Sequence, residues 1–101
     1  MKPMTKIAPI HPGEVLAEDF MKPLGLSANA LAQKLGVPAN RISTIVAGRR
    51  DVSPDTALRL ERAFGSSAEF WLNMQARYDL ETARDRIDRK ELASIKTIRA
   101  A

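Results

Sequence analysis

At 101 residues the chain has room for one domain, and 45% hydrophobic with 28% charged residues is the balance of a folded globular protein. Disulfides and thiolate metal sites are excluded because there is no cysteine, which suits a reducing cytoplasm. No apolar run reaches the roughly 20 residues that span a bilayer, and the net charge of +4 says little until its placement along the chain is read.

Residues 1–11 read as an irregular arm, because Pro3 and Pro9 oppose helix and Pro12 suits only a first turn. The arm is basic, but no signal-peptide h-region follows it. A first helix is expected to start at Pro12 with an apolar stripe of Val15, Leu16 and Phe20, and to end at Pro23 and Gly25. Ser27 then caps a second helix with Leu31 and Leu35 inward, and Gly36 closes it as a left-handed C′ residue, followed by an inward Val37. A third helix is expected from Pro38 to Ala47, burying Ile42, Ile45 and Val46 before Gly48. After the loop Arg49-Arg50-Asp51-Val52, Ser53, Pro54 and Asp55 open a fourth helix whose buried side is Ala57, Leu58, Leu60 and Phe64, ending at Gly65. Ser66 and Glu69 fit a capping box for a fifth helix with room to run beyond residue 87. No strand-like alternation or repeat interrupts this pattern, so the class is all-α. Five helices form a domain over 12–80, and 81–101 is an extension.

The charge is patterned. Between Asp19 and Asp51 there is no acidic residue, yet Lys22, Lys34, Arg41, Arg49 and Arg50 lie there. A surface that rests on phosphate must shed carboxylates, which would repel the ligand. Within the blank, Ala28 to Ala47 is patterned as a helix-turn-helix: core positions Leu31, Leu35, Val37, Ile42 and Ile45, small Ala32 where the helices meet, Gly36 at the bend. With Ile42, Ile45 and Val46 inward, the third helix turns Ala39, Asn40, Arg41, Ser43, Thr44 and Ala47 outward. Ala39, Asn40, Arg41, Ser43 and Thr44 are the candidate base readers. Asn40 matches adenine N6/N7 or else caps its own first turn; Arg41 matches guanine O6/N7 or else a phosphate; Ala39 and the Thr44 methyl suit thymine methyls. Ser27, Gln33, Lys34, Arg49 and Arg50 are the candidate phosphate contacts. Arg59 and Arg62, with Asp55 and Glu61 close by, read as surface pairing instead.

One such module reads few base pairs, so a two-fold dimer on an inverted-repeat operator is expected. On helix five Trp71, Met74 and Tyr78 form one apolar stripe, and Leu72, Ala76, Leu80, Ala83 and Ile87 a second; together they are wider than a single core-facing strip. One stripe is expected to seal the domain and the other to meet an identical helix, unless both are intramolecular, and Trp71, Met74, Tyr78 and Leu80 are the candidate interface. His11 is the lone histidine with no partner for metal or general-base chemistry, so a local role ahead of the first helix is expected. Neither a phosphate-cradling glycine loop nor a Ser/His/Asp arrangement occurs. No cofactor, metal or membrane partner and no catalysis is expected.

The chain resembles HigA-type antitoxins of the Xre-like helix-turn-helix class. The resemblance runs from Ile10 to Leu80 and rests on His11-Pro12-Gly13-Glu14, Phe20 to Ser27, Asn29 to Pro38, Arg41 to Arg50, Asp55 to Leu60, Glu69 to Asn73 and Tyr78-Asp79-Leu80. The helix-turn-helix segment is common to many repressors; the opening His11-Pro12-Gly13-Glu14 with Phe70-Trp71-Leu72-Asn73 and Tyr78-Asp79-Leu80 is more specific. It implies a lambda-repressor-like domain in a cytoplasmic homodimer that binds operator DNA, binds a HigB-like mRNA-cleaving toxin and represses its own operon. Ala39, Asn40, Ser43 and Thr44 correspond to base-facing positions of related repressors. Ala39 departs from the glutamine common in phage repressors and Ala47 from a frequent asparagine, so the operator sequence does not carry over. Two rival readings remain: a stand-alone phage- or plasmid-type repressor, and a protein-interaction module that binds no nucleic acid. Residues 81–101, with six basic and four acidic residues and sparse Leu92, Ile95 and Ile98, suit an extended helix, a toxin-binding strip or a frayed tail.

Overall fold

In a computed structural model, which describes residues 8–99, the chain is a sequence of helices with no strand among those residues: α1 (Pro12–Val15) running on through a π turn (Leu16–Met21) and a 3-10 turn (Lys22–Leu24), then α2 (Ala28–Leu35), α3 (Ala39–Val46), α4 (Pro54–Phe64), α5 (Ala68–Arg86) and a short α6 (Arg89–Ala93). Of the expected irregular arm, residues 8–11 are non-helical up to the start of α1, and 1–7 lie outside the described residues.

The boundaries follow from capping chemistry. Ser27 and Ser53 accept through Oγ from the backbone N–H groups of Ala30 and Thr56, satisfying donors that α2 and α4 would otherwise leave open. Gly25, Gly36 and Gly65 end their helices with left-handed φ of 62°, 71° and 79°, a region costly for residues with a Cβ. α5 starts one residue later than a Ser66–Glu69 capping box would place it. Ser67 is its N-cap, accepting from the Phe70 N–H, while Ser66 Oγ accepts from Trp71 Nε1 at 2.9 Å. α5 stops at Arg86, because Ile87 turns extended and Asp88 caps a separate sixth helix. Residues 94–99 of the extension are irregular.

The core gathers Leu16, Leu31, Leu35, Ile42, Ile45, Val52, Leu60 and Trp71, with Phe20, Val37, Val46 and Phe64 packed at its edge. The π turn explains one difference from the expected stripe. Its i→i+5 closure brings Leu16 and Met21, five apart, both to the buried side. Leu58 differs too. Ala57 and Leu60 face inward, and Leu58 is rotated about 100° from Ala57, leaving it 59% exposed. Trp71 is 0% exposed, its ring against Phe20 and Phe70, so it seals the domain and has no surface to offer a partner.

The placement of α3 depends on the segment His11-Pro12-Gly13. His11 Nδ1 accepts from the Gly13 N–H at 2.9 Å and caps α1, and Pro12 occupies the first helical position. Gly13 then lies directly under the last turn of α3: a Cβ there would fall 1.8 Å from the Ile45 carbonyl oxygen. α1 and α3 touch backbone to backbone because residue 13 has no side chain. Gly13→Ala must push the two helices apart and is expected to destabilise the fold by about 3 kcal/mol, the upper end of overpacking costs. The urea midpoint should fall with an unchanged m value. A loss below about 0.5 kcal/mol, the size of a neutral surface change, would show that the helices are not pressed together.

Candidate nucleic-acid interface

α3 is anchored by Ile42 and Ile45, both 0% exposed, and this fixes what it turns outward. Ala39, Asn40, Ser43 and Ala47 are exposed, and Thr44 is half-buried. α3 is entered through Pro38, which supplies no side-chain cap, so the exposed Asn40 is not engaged as N-cap of its helix. The Thr44 hydroxyl donates back to the Asn40 carbonyl, with the Arg41 carbonyl 3.2 Å away. Its hydrogen is used within the helix, so Thr44 can meet a base only as an acceptor or through its methyl.

Arg41 is set apart from this face. It sits on the flank towards α4, its side chain 28% exposed, and its guanidinium donates to Asp55 Oδ1 at 2.9 Å. Expected among the base readers, it is held instead in an ion pair, because Asp55 lies across from it in space although 14 residues on in sequence. Lys22, a second cation of the acid-free stretch, is taken up by Glu18 one turn back at 2.6 Å.

Gly48, at φ 76°, turns the chain out of α3 into the loop that carries Arg49 and Arg50, both exposed. With Arg41, Asp51, Ser53 and Thr56 they line a hollow of roughly 400 Å³ beside the end of α3. Ser27 at the N-cap of α2, and Gln33 and Lys34 on that helix, are exposed and do not line it. The loop is held from beneath by a residue that sequence reasoning passed over. Gln75 Oε1 accepts from the Val52 N–H at 2.8 Å, while its Nε2 donates to Asp51 Oδ1 at 3.2 Å and Asp79 Oδ1 at 3.0 Å. The signal was available: Gln75 is one turn beyond Trp71 on the inward side of α5, where a polar side chain needs partners.

Of the four expected interface residues, only Leu80 is exposed, at 52%. Met74 packs partly on the core, and Tyr78 sets its ring edge-on to His11 with centroids 4.9 Å apart. Trp71, Met74 and Tyr78 therefore form the sealing stripe. Of the second stripe, Leu72 packs at the edge of the core, and Ala76, Leu80, Ala83 and Ile87 are outward. Among the described residues, no His, Cys, Asp and Glu side chains are grouped to hold a metal ion, and no helix is long and apolar enough to cross a membrane.

His11 has the local role its position implied, as the cap of α1. Its Nδ1 is an acceptor, which puts the proton of the neutral ring on the buried Nε2. Burial holds its pKa below 6.5, against the opposing pull of Asp51, Asp79 and the backbone of Arg50. A second proton would have to occupy Nδ1 and would abolish the cap. The folded state prefers the neutral ring, so the stability His11 contributes is complete above about pH 6.5 and declines as pH falls below it through the lower folded pKa. Thermal melts of the protein should lose midpoint temperature below that pH more steeply than melts of His11→Asn, which keeps a capping acceptor but does not titrate. Parallel curves would contradict this.

Residues 18–71 match the helix-turn-helix family model. The chain is 57% identical over 74 residues to virulence-associated protein I of Dichelobacter nodosus, covering 73% of this chain and 68% of that one. Among solved structures it resembles antitoxin GraA (TM-score 0.87, 42% identity, 92% of this chain and 100% of that one). It also resembles the Pseudomonas aeruginosa antitoxin HigA with the higBA promoter (TM-score 0.83, 41% identity, 87% and 96%).

Proposed function

The chain belongs to the Xre-like helix-turn-helix family that includes the HigA and GraA antitoxins, and from that premise we propose that it is an operator-binding antitoxin that represses its own operon and neutralises a HigB-like mRNA-cleaving toxin in the cytoplasm. The observation that carries the DNA-binding part is the face of α3: exposed, free of carboxylates, and flanked by Arg49 and Arg50 on a braced loop. Ala39, Asn40, Ser43 and Thr44 meet base edges, while Ser27, Gln33, Lys34, Arg49 and Arg50 meet phosphates. The outward stripe of α5 around Leu80 pairs two copies, placing two α3 helices about 34–36 Å apart on an inverted repeat. The operator complex of a GraA relative and the promoter complex of a HigA relative support this reading. The toxin partner rests on the family resemblance. An Escherichia coli relative named as an HTH-type transcriptional regulator favours a second reading, as a stand-alone repressor.

One titration tests the division of labour. The protein should bind a duplex of its own promoter at submicromolar concentration, weakening steeply with salt. Asn40→Ala with Thr44→Ala should cost that duplex about tenfold or more while leaving scrambled DNA almost unaffected. Arg49→Ala with Arg50→Ala should weaken all duplexes alike and flatten the salt slope by about 2. Leu80→Asp should sediment as a monomer and lose the full inverted repeat. Identical behaviour of the two double variants would contradict the split between readers and anchors. Co-purification with a small basic protein encoded beside the gene separates the antitoxin from the stand-alone repressor.

A further inference from the structure

Asp55, in the first turn of α4, is shared by two guanidinium groups. Its Oδ1 accepts from Arg41 on α3 at 2.9 Å and from Arg59, one turn further along α4, at 2.8 Å. Arg59 is itself fixed, because its second nitrogen donates to the carbonyl of Leu35, the last residue of α2, at 2.7 Å. The carboxylate is thereby tied to the end of α2 and cannot turn away from Arg41 without losing Arg59. The two arginines, Arg59 above all, hold its carboxyl below the usual range, so it remains charged. Arg41 is the cation of α3 itself, the helix whose exposed Asn40 and Ser43 and half-buried Thr44 are uncharged.

We propose that Asp55 is a specificity-determining residue: by holding Arg41 on the flank of α3 it keeps a long cation off the reading face and leaves the choice of bases to Asn40, Ser43 and Thr44. The inference rests on the DNA-binding reading above. A guanidinium free to swing reaches phosphates whatever the sequence, adding affinity to every duplex and diluting the preference for one. Drawing Arg41 away would also leave Asp55 less neutralised on the flank of α3, a like-charge contact with phosphate that opposes the exchange. A carboxylate at the margin of a cationic surface thus raises discrimination by excluding the alternative contact.

The test measures binding of the full chain to its promoter duplex and to a scrambled duplex of equal length, over a salt series, for wild type, Asp55→Ala, Arg41→Ala and the double variant, each checked by thermal melt. Asp55→Ala should tighten binding to scrambled DNA on the order of threefold or more, steepen the salt slope by about 0.9, and shrink the promoter-to-scrambled ratio. Arg41→Ala alone should leave the ratio unchanged, and the double variant should return to it. If Asp55→Ala does not fold, Asp55→Asn, which keeps size and an acceptor but not the charge, should shift the same quantities in the same direction. A fall in the promoter-to-scrambled ratio in Arg41→Ala would overturn the proposal, since Arg41 would then already read the promoter. An unchanged ratio and slope in a folded Asp55 variant would overturn it as well. Wild type that binds neither duplex would overturn the DNA-binding reading itself, an outcome distinct from both.

Discussion

The close approach of Gly13 to the Ile45 carbonyl sets the position of everything that follows. A recognition helix must be exposed along most of its length and still held rigidly, and α3 has only two fully buried anchors, Ile42 and Ile45. Seating its last turn on the first turn of α1 adds backbone contact at its end without covering the outward face. The approach requires glycine at 13, a first turn of α1 started by Pro12, and a cap that adds no bulk beneath α3. His11 meets the last condition through its own ring, which then packs edge-on against Tyr78. The segment His11-Pro12-Gly13 is thus the platform for α3, although none of its residues is on the outward face of that helix.

Two polar ties complete the platform. Gln75 joins α5 to the loop after α3, so Arg49 and Arg50 extend from a segment whose Val52 N–H, two residues on, is buried and satisfied. Arg59 and Asp55 join α4 to the end of α2 and the flank of α3. The apolar core places the helices. These side-chain bonds decide which cations remain free at the surface: Arg49 and Arg50 project, whereas Arg41 and Lys22 are paired. Net charge along the acid-free stretch therefore overstates the number of cations available to a polyanion.

Much of this was legible in the chain because it is local. Ser27, Ser53, Gly36 and Gly48 announce helix ends through chemistry within four residues, and the inward Ile42 and Ile45 determine that Asn40 and Ser43 face out. Contacts joining distant segments were not legible. The Arg41–Asp55 pair spans 14 residues, the Gln75–Val52 bond spans 23, and the π turn that buries Met21 breaks the α period on which the stripe was read. For α5 the periodicity revealed two apolar stripes but not their sides. Trp71 is the largest group available to fill the space beside Phe20, and that packing turns its stripe inward and the Leu80 stripe outward.

The central claim is that α3 is the surface that meets a duplex. Amide chemical shifts recorded while promoter DNA is added to labelled protein test it most directly. The account predicts that the largest changes fall on Asn40, Ser43, Thr44, Arg49 and Arg50, with Leu80, Ile87 and Leu92 scarcely moved. Changes concentrated on the end of α5 and on α6, with α3 unperturbed, would contradict it.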